Sequence, residues 1–318
     1  MGAQGLGSRA IIGTFYETLQ QQIGSSWLAQ LVMGFDSNQE SETYKWLGAS
    51  PAVREWVGGR LAKGLRENGL TITNKTFEAT MKISVDDLRR DKTAQILLRI
   101  REMADRVAAH PMSLISTLIN NGGGSTNGLA YDGQYFFDTD HSEGDSGTIK
   151  NDIASGDYAV LNVGTASAPT PKEMADAIMA VIQHFYTFKD DQGEPINELA
   201  KSFVVMVPVN MWGSANTAAS ANLLNTGSGS VENTLTKMGL SIAVAANARL
   251  TATDKFAVFR ADGRTKPFIE QIEEGVSIAA IAEGSELEFE KNEHHYGVKK
   301  ITNVGYGMWQ HAIRATLS

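Results

Sequence analysis

Asp138, Asp140, His141, Glu143 and Asp145 fall within eight consecutive positions and form the densest group of side chains that could do chemistry. Carboxylates with an imidazole are ligands for a divalent ion, and an ion held there could activate water for hydrolysis. The spacing follows a calcium-binding loop only at its first ligands. The twelfth position of such a loop needs a bidentate Glu and here is Ile149. A solvated acidic turn accounts for the same residues, so no catalytic, cofactor-binding or metal-binding residue and no cofactor are expected. A metal-dependent hydrolase built on Asp138, Asp140 and His141 is the enzymatic alternative.

His294, His295 and His311 also invite a metal reading, but adjacent side chains on a strand point to opposite faces. Structural histidines are the better account. The sequence has no GxxxxGK[ST] or GxSxG motif, and the GYG of Gly305, Tyr306 and Gly307 is no dinucleotide fingerprint. Those glycines fit close strand packing or a bulge. Lys45, Lys63, Lys75 and Lys82 read as solvation of exposed faces. Trp46 and Trp56 lie in a segment of charges and glycines with few apolar neighbours, and Phe77 follows on a strand. Large aromatic groups dominate contact surfaces, so Trp46, Trp56 and Phe77 are the proposed intersubunit contacts. Packing of the tryptophans within their own subunit is the alternative.

The chain has 318 residues, 42% hydrophobic and 20% charged, enough for a real core and more than one lobe. It has no cysteine, which excludes disulfides, a thiolate nucleophile and cysteine-ligated metals. The net charge of -8 is opposite to that of a protein that grips phosphates. No run approaches the roughly 18 apolar residues of a membrane span, and MGAQGLGSRAIIG is too short and glycine-broken for a signal peptide. The expectation is a chain that stays in the cytosol of the cell that makes it, without membrane contact.

Several elements must position these residues. Residues 1–40 carry Ile11, Ile12, Phe15, Leu19, Ile23, Leu28 and Leu31 among Gly and Gln, an arm of low independent stability that packs on something else. In TFEATMKI, Phe77, Ala79, Met81 and Ile83 alternate with polar residues, as in a strand with one buried face. Leu88, Ile96, Ile100, Met103, Ala104, Val107, Leu114, Ile115 and Leu118 recur at helical spacing from about 84 to 121. Ser84 with Asp87 can cap that helix, three glycines from Gly122 stop it, and Pro111 predicts a kink or break at His110. Unbroken, it would span roughly 55 Å.

YDGQYFFDTDHSEGDSG reads as a short strand between polar turns, and 142–169 as an exposed loop. Thr170, Pro171 and Glu173 supply cap, first-turn proline and capping-box acid for an amphipathic helix through Phe188. FVVMVPVNMW is a buried strand that lies at an edge or ends at Pro208. SANTAASANLL reads as a helix, SIAVAANARL and KFAVFR as strands, and the tail, SELEFEK included, as further short strands. A long polar loop and an exposed two-Trp segment make sense when neighbouring copies cover them.

Five segments, SETYKWLGASPAVREWVG, NKTFEATMKISVDDLRRD, YDGQYFFDTDH, KPFIEQ and YGVKKITNVGYGMWQHA, resemble in order and spacing the major head subunit of Mu-like phages and prophages. The resemblance is weakest over 145–260, and Ser142 stands where the family has a proline after DTDH. It implies an α+β, Hong Kong 97-type capsid fold with an N-terminal arm at 1–40 and an E-loop at 41–83. It further implies a peripheral domain at 84–164 with a spine helix at about 84–121, an axial domain at 165–255, and peripheral return strands at 256–318. The implied function is a shell of hexamers and pentamers around double-stranded DNA bound without sequence specificity, assembled in a bacterial cytoplasm and found in the virion. Portal, scaffolding and decoration proteins are the implied further partners, scaffolding coming from a separate or removed segment. An encapsulin-like compartment is the alternative within the fold.

Overall fold

The computed structural model describes residues 7–22, 27–45, 47, 69–90 and 94–318. In chain order the elements are α1 (Ser8–Gln22), α2 (Leu28–Leu31), β1 (Val32–Asp36), β2 (Ser41–Tyr44), β3 (Leu70–Thr73), β4 (Lys75–Ser84), α3 (Val85–Arg90), α4 (Gln95–Asn121) and β5 (Asp152–Ile153). There follow α5 (Pro171–Phe185), β6 (Ser202–Val207), α6 (Trp212–Ser220), β7 (Leu223–Asn225), β8 (Ser230–Glu232), β9 (Ser241–Ala246) and β10 (Lys255–Arg260). The chain closes with β11 (Phe268–Ile281), α7 (Glu286–Lys291), β12 (Glu293–Tyr306) and β13 (Ala312–Thr316).

Two sheets organise the molecule. A four-stranded sheet has the order β1-β11-β12-β4, with β1 parallel to β11 and the other pairs antiparallel. A five-stranded sheet has the order β5-β13-β10-β6-β9. Residues 256–318, expected as one set of return strands, are thus divided: β11 and β12 lie in the first sheet, whereas β10 and β13 pair in the second. Strand partners so distant in sequence carry no local signal.

Two apolar clusters form the core, the larger including one end of the first sheet (Phe268, Ile269, Val304 and Tyr306), and α4 joins them. Ile100, Met103 and Ala104 of α4 pack with Ile11, Phe15 and Leu19 of α1 and with Tyr296 and Val298 of β12. Ile115, Leu118 and Ile119 enter the larger cluster under the second sheet, with Phe203, Val205, Phe256 and Phe259. The expected arm therefore docks partly on its own subunit. Burying Ile11, Phe15 and Leu19 stabilises that contact by roughly 1.5–3 kcal/mol per side chain.

The expected long helix is interrupted. Ser84 ends β4 instead of capping a helix, α3 is a separate turn, and Ala94 takes a left-handed conformation at φ 57° before α4 begins. The 27 residues of α4 span about 40 Å. No break occurs at His110: α4 runs through Pro111, although the ring withholds one amide from the Val107 carbonyl. Two cores grip the helix on either side of that point, which offsets the loss.

Local chemistry fixes other elements as expected. Thr170 and Glu173 form a reciprocal capping box, the Glu173 carboxylate accepting from the Thr170 amide at 2.8 Å. Hydrogen bonds from the Gly164 and Thr170 amides hold the Glu173 carboxyl below its usual range. Pro208 follows the last residue of β6, which lies inside its sheet and not at an edge. A Cβ at Gly305 would run into the Ile72 side chain and one at Gly307 into the Lys266 carbonyl, so both glycines permit close approach.

Three expectations are corrected. SELEFEK is α7 and not a strand, because Ser285 caps it and accepts from the Glu288 amide. YDGQYFFDTDHSEGDSG forms turns instead of a strand, with Phe136 and Phe137 buried. The 142–169 segment is not an exposed loop throughout: Glu143, Ser146, Asn151, Ile153 and Leu161 are buried. Its polar side chains are satisfied inside, Asn151 for example donating to the Phe136 carbonyl at 2.7 Å.

Candidate functional site

The acidic group around His141 is dispersed by the fold. His141 is fully buried, its Nδ1 is 2.6 Å from Asp132 Oδ2, and its ring stacks on Trp309. Glu143, also buried, accepts from Tyr131 Oη at 3.0 Å and from Gln310 Nε2 at 3.2 Å. Asp138 accepts from the Tyr135 and Thr139 amides. Asp140 remains on the surface, where a hydrogen bond to the Asp138 carboxylate, then that carboxylate's charge, raises the Asp140 carboxyl above the usual range. Asp145 is exposed. The expected solvated turn is thus half interior, and no cluster able to hold a metal ion occurs among the described residues.

The histidines are separate too. His294 is buried with Nε2 3.4 Å from Glu288 Oε1, and His295 reaches Glu293 at 3.5 Å. His311 lies elsewhere, its Nδ1 3.0 Å from the Thr265 carbonyl oxygen. Burial, then the Arg260 charge, pushes it down to about 4.

Trp46 and Trp56 lie outside the described residues. The base of their segment is well defined: β2 and β3 pair antiparallel, Ser41 opposite Thr73 and Tyr44 opposite Leu70. Tyr44 Oη donates to Gln271 Oε1 at 2.9 Å, and Gln271 Nε2 donates to the Ile72 carbonyl at 3.2 Å. Gln271 belongs to β11 and is fully buried, so one side chain ties both arms of the hairpin to the first sheet. Burial pushes the Tyr44 hydroxyl up to about 12.

Phe77 lines a groove of about 440 Å³ between β4 and α4. Phe77, Ala79 and Met81 from the strand face Met103 and Val107 from the helix, with Val298 on the floor. The period-two pattern read in TFEATMKI positions this wall: its apolar members are partly covered and its polar ones exposed. Phe77 meets His110 edge-on with centroids 4.3 Å apart, and burial followed by the Lys300 charge lowers the His110 imidazole below its ordinary value. Beneath lies the Lys300–Glu270 pair, 3.2 Å apart and mostly buried. Strand alternation made Phe77 legible, but only the fold shows that Met103 and Val107 face it.

Residues 9–168 and 236–317 match the family described as Mu-like prophage major head subunit gpT. Over 112 residues the chain is 38% identical to the major capsid protein of Escherichia phage Mu, an alignment that covers 35% of this chain and 36% of that relative. The chain thus spans about a third of the length of that curated relative. The fold is shared with a chain of the bacteriophage JBD30 procapsid, at TM-score 0.52 and 23% identity over 98% of this chain and 75% of that one. It is also shared with a chain of the cyanophage P-SCSP1u capsid, at TM-score 0.55 and 12% identity over 91% and 86%. At those identities the likeness concerns fold alone. By the family match over both sheets, the chain belongs to the Mu-like prophage major head subunit family and carries the α+β, Hong Kong 97-like capsid fold.

Proposed function

We propose that this chain is a structural subunit that self-assembles as hexamers and pentamers into an icosahedral phage head around double-stranded DNA. The observation that carries the reading is the family match over residues 9–168 and 236–317. The groove at Phe77 and the tethered hairpin of β2 and β3 support it, since both present surface that a neighbour can cover. In this reading the first sheet with α4 is the peripheral layer and the second sheet with α5 and α6 is the axial one, the segment 41–83 being the E-loop. Trp46, Trp56 and Phe77 are its intersubunit anchors. DNA is held by enclosure, in keeping with the net charge of -8. Portal, scaffolding and decoration proteins are its further partners, and assembly takes place in the host bacterial cytoplasm. No described helix is long and apolar enough to cross a membrane. A metal-dependent hydrolase is disfavoured because His141 and Glu143 are engaged in buried contacts with Asp132, Tyr131 and Gln310.

Sedimentation of the purified protein tests the reading. Fast-sedimenting particles whose capsomers show six- and five-fold symmetry under the microscope support it, and a monomer at every concentration contradicts it.

A further inference from the structure

At the tip of the long β11–β12 hairpin, α7 buries none of its six residues. The turn is held by its own side chains: the Glu288 carboxylate accepts from the Gly284 amide at 2.6 Å, and Ser285 Oγ accepts from the Glu288 amide at 3.2 Å. Phe289 on this helix is 92% exposed. Glu286, three residues earlier, shares its face, and Glu290 adjoins it. An aromatic ring 92% exposed and set between carboxylates on a hairpin tip has the form of an anchor for another surface.

A complementary surface exists on the same chain. The groove between β4 and α4 has an apolar floor and a volume within the roughly 300–1,000 Å³ of sites that seat aromatic ligands. Its helical rim is cationic: Arg99 and Arg106 share the single carboxylate of Glu102, at 2.8 and 3.3 Å. On the strand side Glu78 also lines the groove, its carboxylate accepting from Thr80 Oγ1 at 2.8 Å, and Glu270 pairs with Lys300.

We propose that Phe289 of one copy seats in the Phe77–Met81–Met103 groove of a neighbouring copy, with Glu286 or Glu290 beside Arg99 or Arg106. The inference rests on the shell-building reading and names one contact within it. A tip that enters a groove elsewhere on an identical chain is a heterologous contact, which propagates around rings and shells instead of ending at a dimer.

The chain has no cysteine, so paired substitutions give an unambiguous test. Phe289→Cys with Met81→Cys, and Phe289→Cys with Ala79→Cys as a second site, are oxidised at high protein concentration and run without reductant. A ladder of dimers, trimers and larger species, absent from each single variant and present for at least one pair, is expected. Phe289→Ala is expected to raise the concentration needed for assembly roughly tenfold with an unchanged subunit melt. Pairs that give no more than the single variants give, or a Trp56→Cys, Met81→Cys pair that links in their place, would overturn the proposal. Closed particles of the wild type, together with paired variants that do not link, refute the contact and leave the shell reading intact. Bonds without closed particles keep the contact and remove the shell reading.

Discussion

His141 lies flat against Trp309, ring centroids 3.9 Å apart and planes 8° from parallel. With Asp132 on its Nδ1, the imidazole is a packing element of the interior. His141→Ala opens a cavity beside Trp309 and strands the Asp132 carboxylate, so the subunit is expected to lose about 3 kcal/mol, read from denaturant unfolding. Unchanged stability would place the residue outside the core.

Asp138, partly buried, and Asp140, exposed, are expected to do no metal chemistry. Asp138→Asn with Asp140→Asn leaves His141 in place, and metal analysis should find no stoichiometric divalent ion before or after the change. An ion present in the wild type and lost from this variant would restore the hydrolase reading.

The apolar face of α4 divides into a buried part and a groove-lining part. Ala104 is fully buried, so Ala104→Asp puts an unpaired carboxylate in the smaller core and should prevent folding, at a cost of several kcal/mol, on the order of 3–5. Val107 borders the groove and is partly exposed, so Val107→Asp should fold yet weaken association. Circular dichroism and sedimentation separate the two outcomes, and a folded Ala104→Asp subunit would show that this face is not core.

Burial holds His311 neutral, and its folded value of about 4 lies below the ordinary histidine value of 6.5. Between these values the unfolded chain binds more protons than the folded one, so stability is fully present above the upper value and falls as pH drops through the window. The slope approaches roughly 1.4 kcal/mol per pH unit. His311→Asn should flatten this part of the stability curve relative to wild type. Parallel curves would contradict the assignment.

Gln271→Leu removes both bonds that tie the β2–β3 hairpin to β11 and leaves Tyr44 Oη and the Ile72 carbonyl without these partners. The expected loss is about 2 kcal/mol, with faster proteolysis between residues 45 and 69. Cleavage at the wild-type rate would show that this tie does not hold the loop.

What was legible in the sequence was what local chemistry decides. The alternation of Phe77 to Ile83, the Thr170 capping box, the stop at Pro208 and the close approach at Gly305 each depend on a few adjacent residues. Pairings across the chain left no such trace: β10 joins β13 some fifty residues on, and Gln271 reaches Tyr44 from β11. Composition misled at 142–169, where small polar residues suggested solvent but Asn151 and Glu143 are satisfied internally. At the surfaces Phe77 stood out as aromatic on a strand, whereas Phe289 was hidden by reading SELEFEK as a strand with alternating burial. Its Ser285 cap three residues before Glu288 was the available signal.

Replacing Trp46 and Trp56 together with Ala should remove contact with a neighbour worth about 2 kcal/mol per anchor and leave the subunit melt nearly unchanged. Because a closed shell repeats the loss at every subunit, particles should fail to form. A collapsed subunit melt would place the tryptophans in the subunit's own core, and normal particles would remove their interface role.

Electron microscopy of the purified wild-type protein, concentrated from dissociated subunits, tests the central claim most directly. The account predicts closed shells or capsomers with six- and five-fold symmetry. A field of compact monomers at every concentration would contradict it.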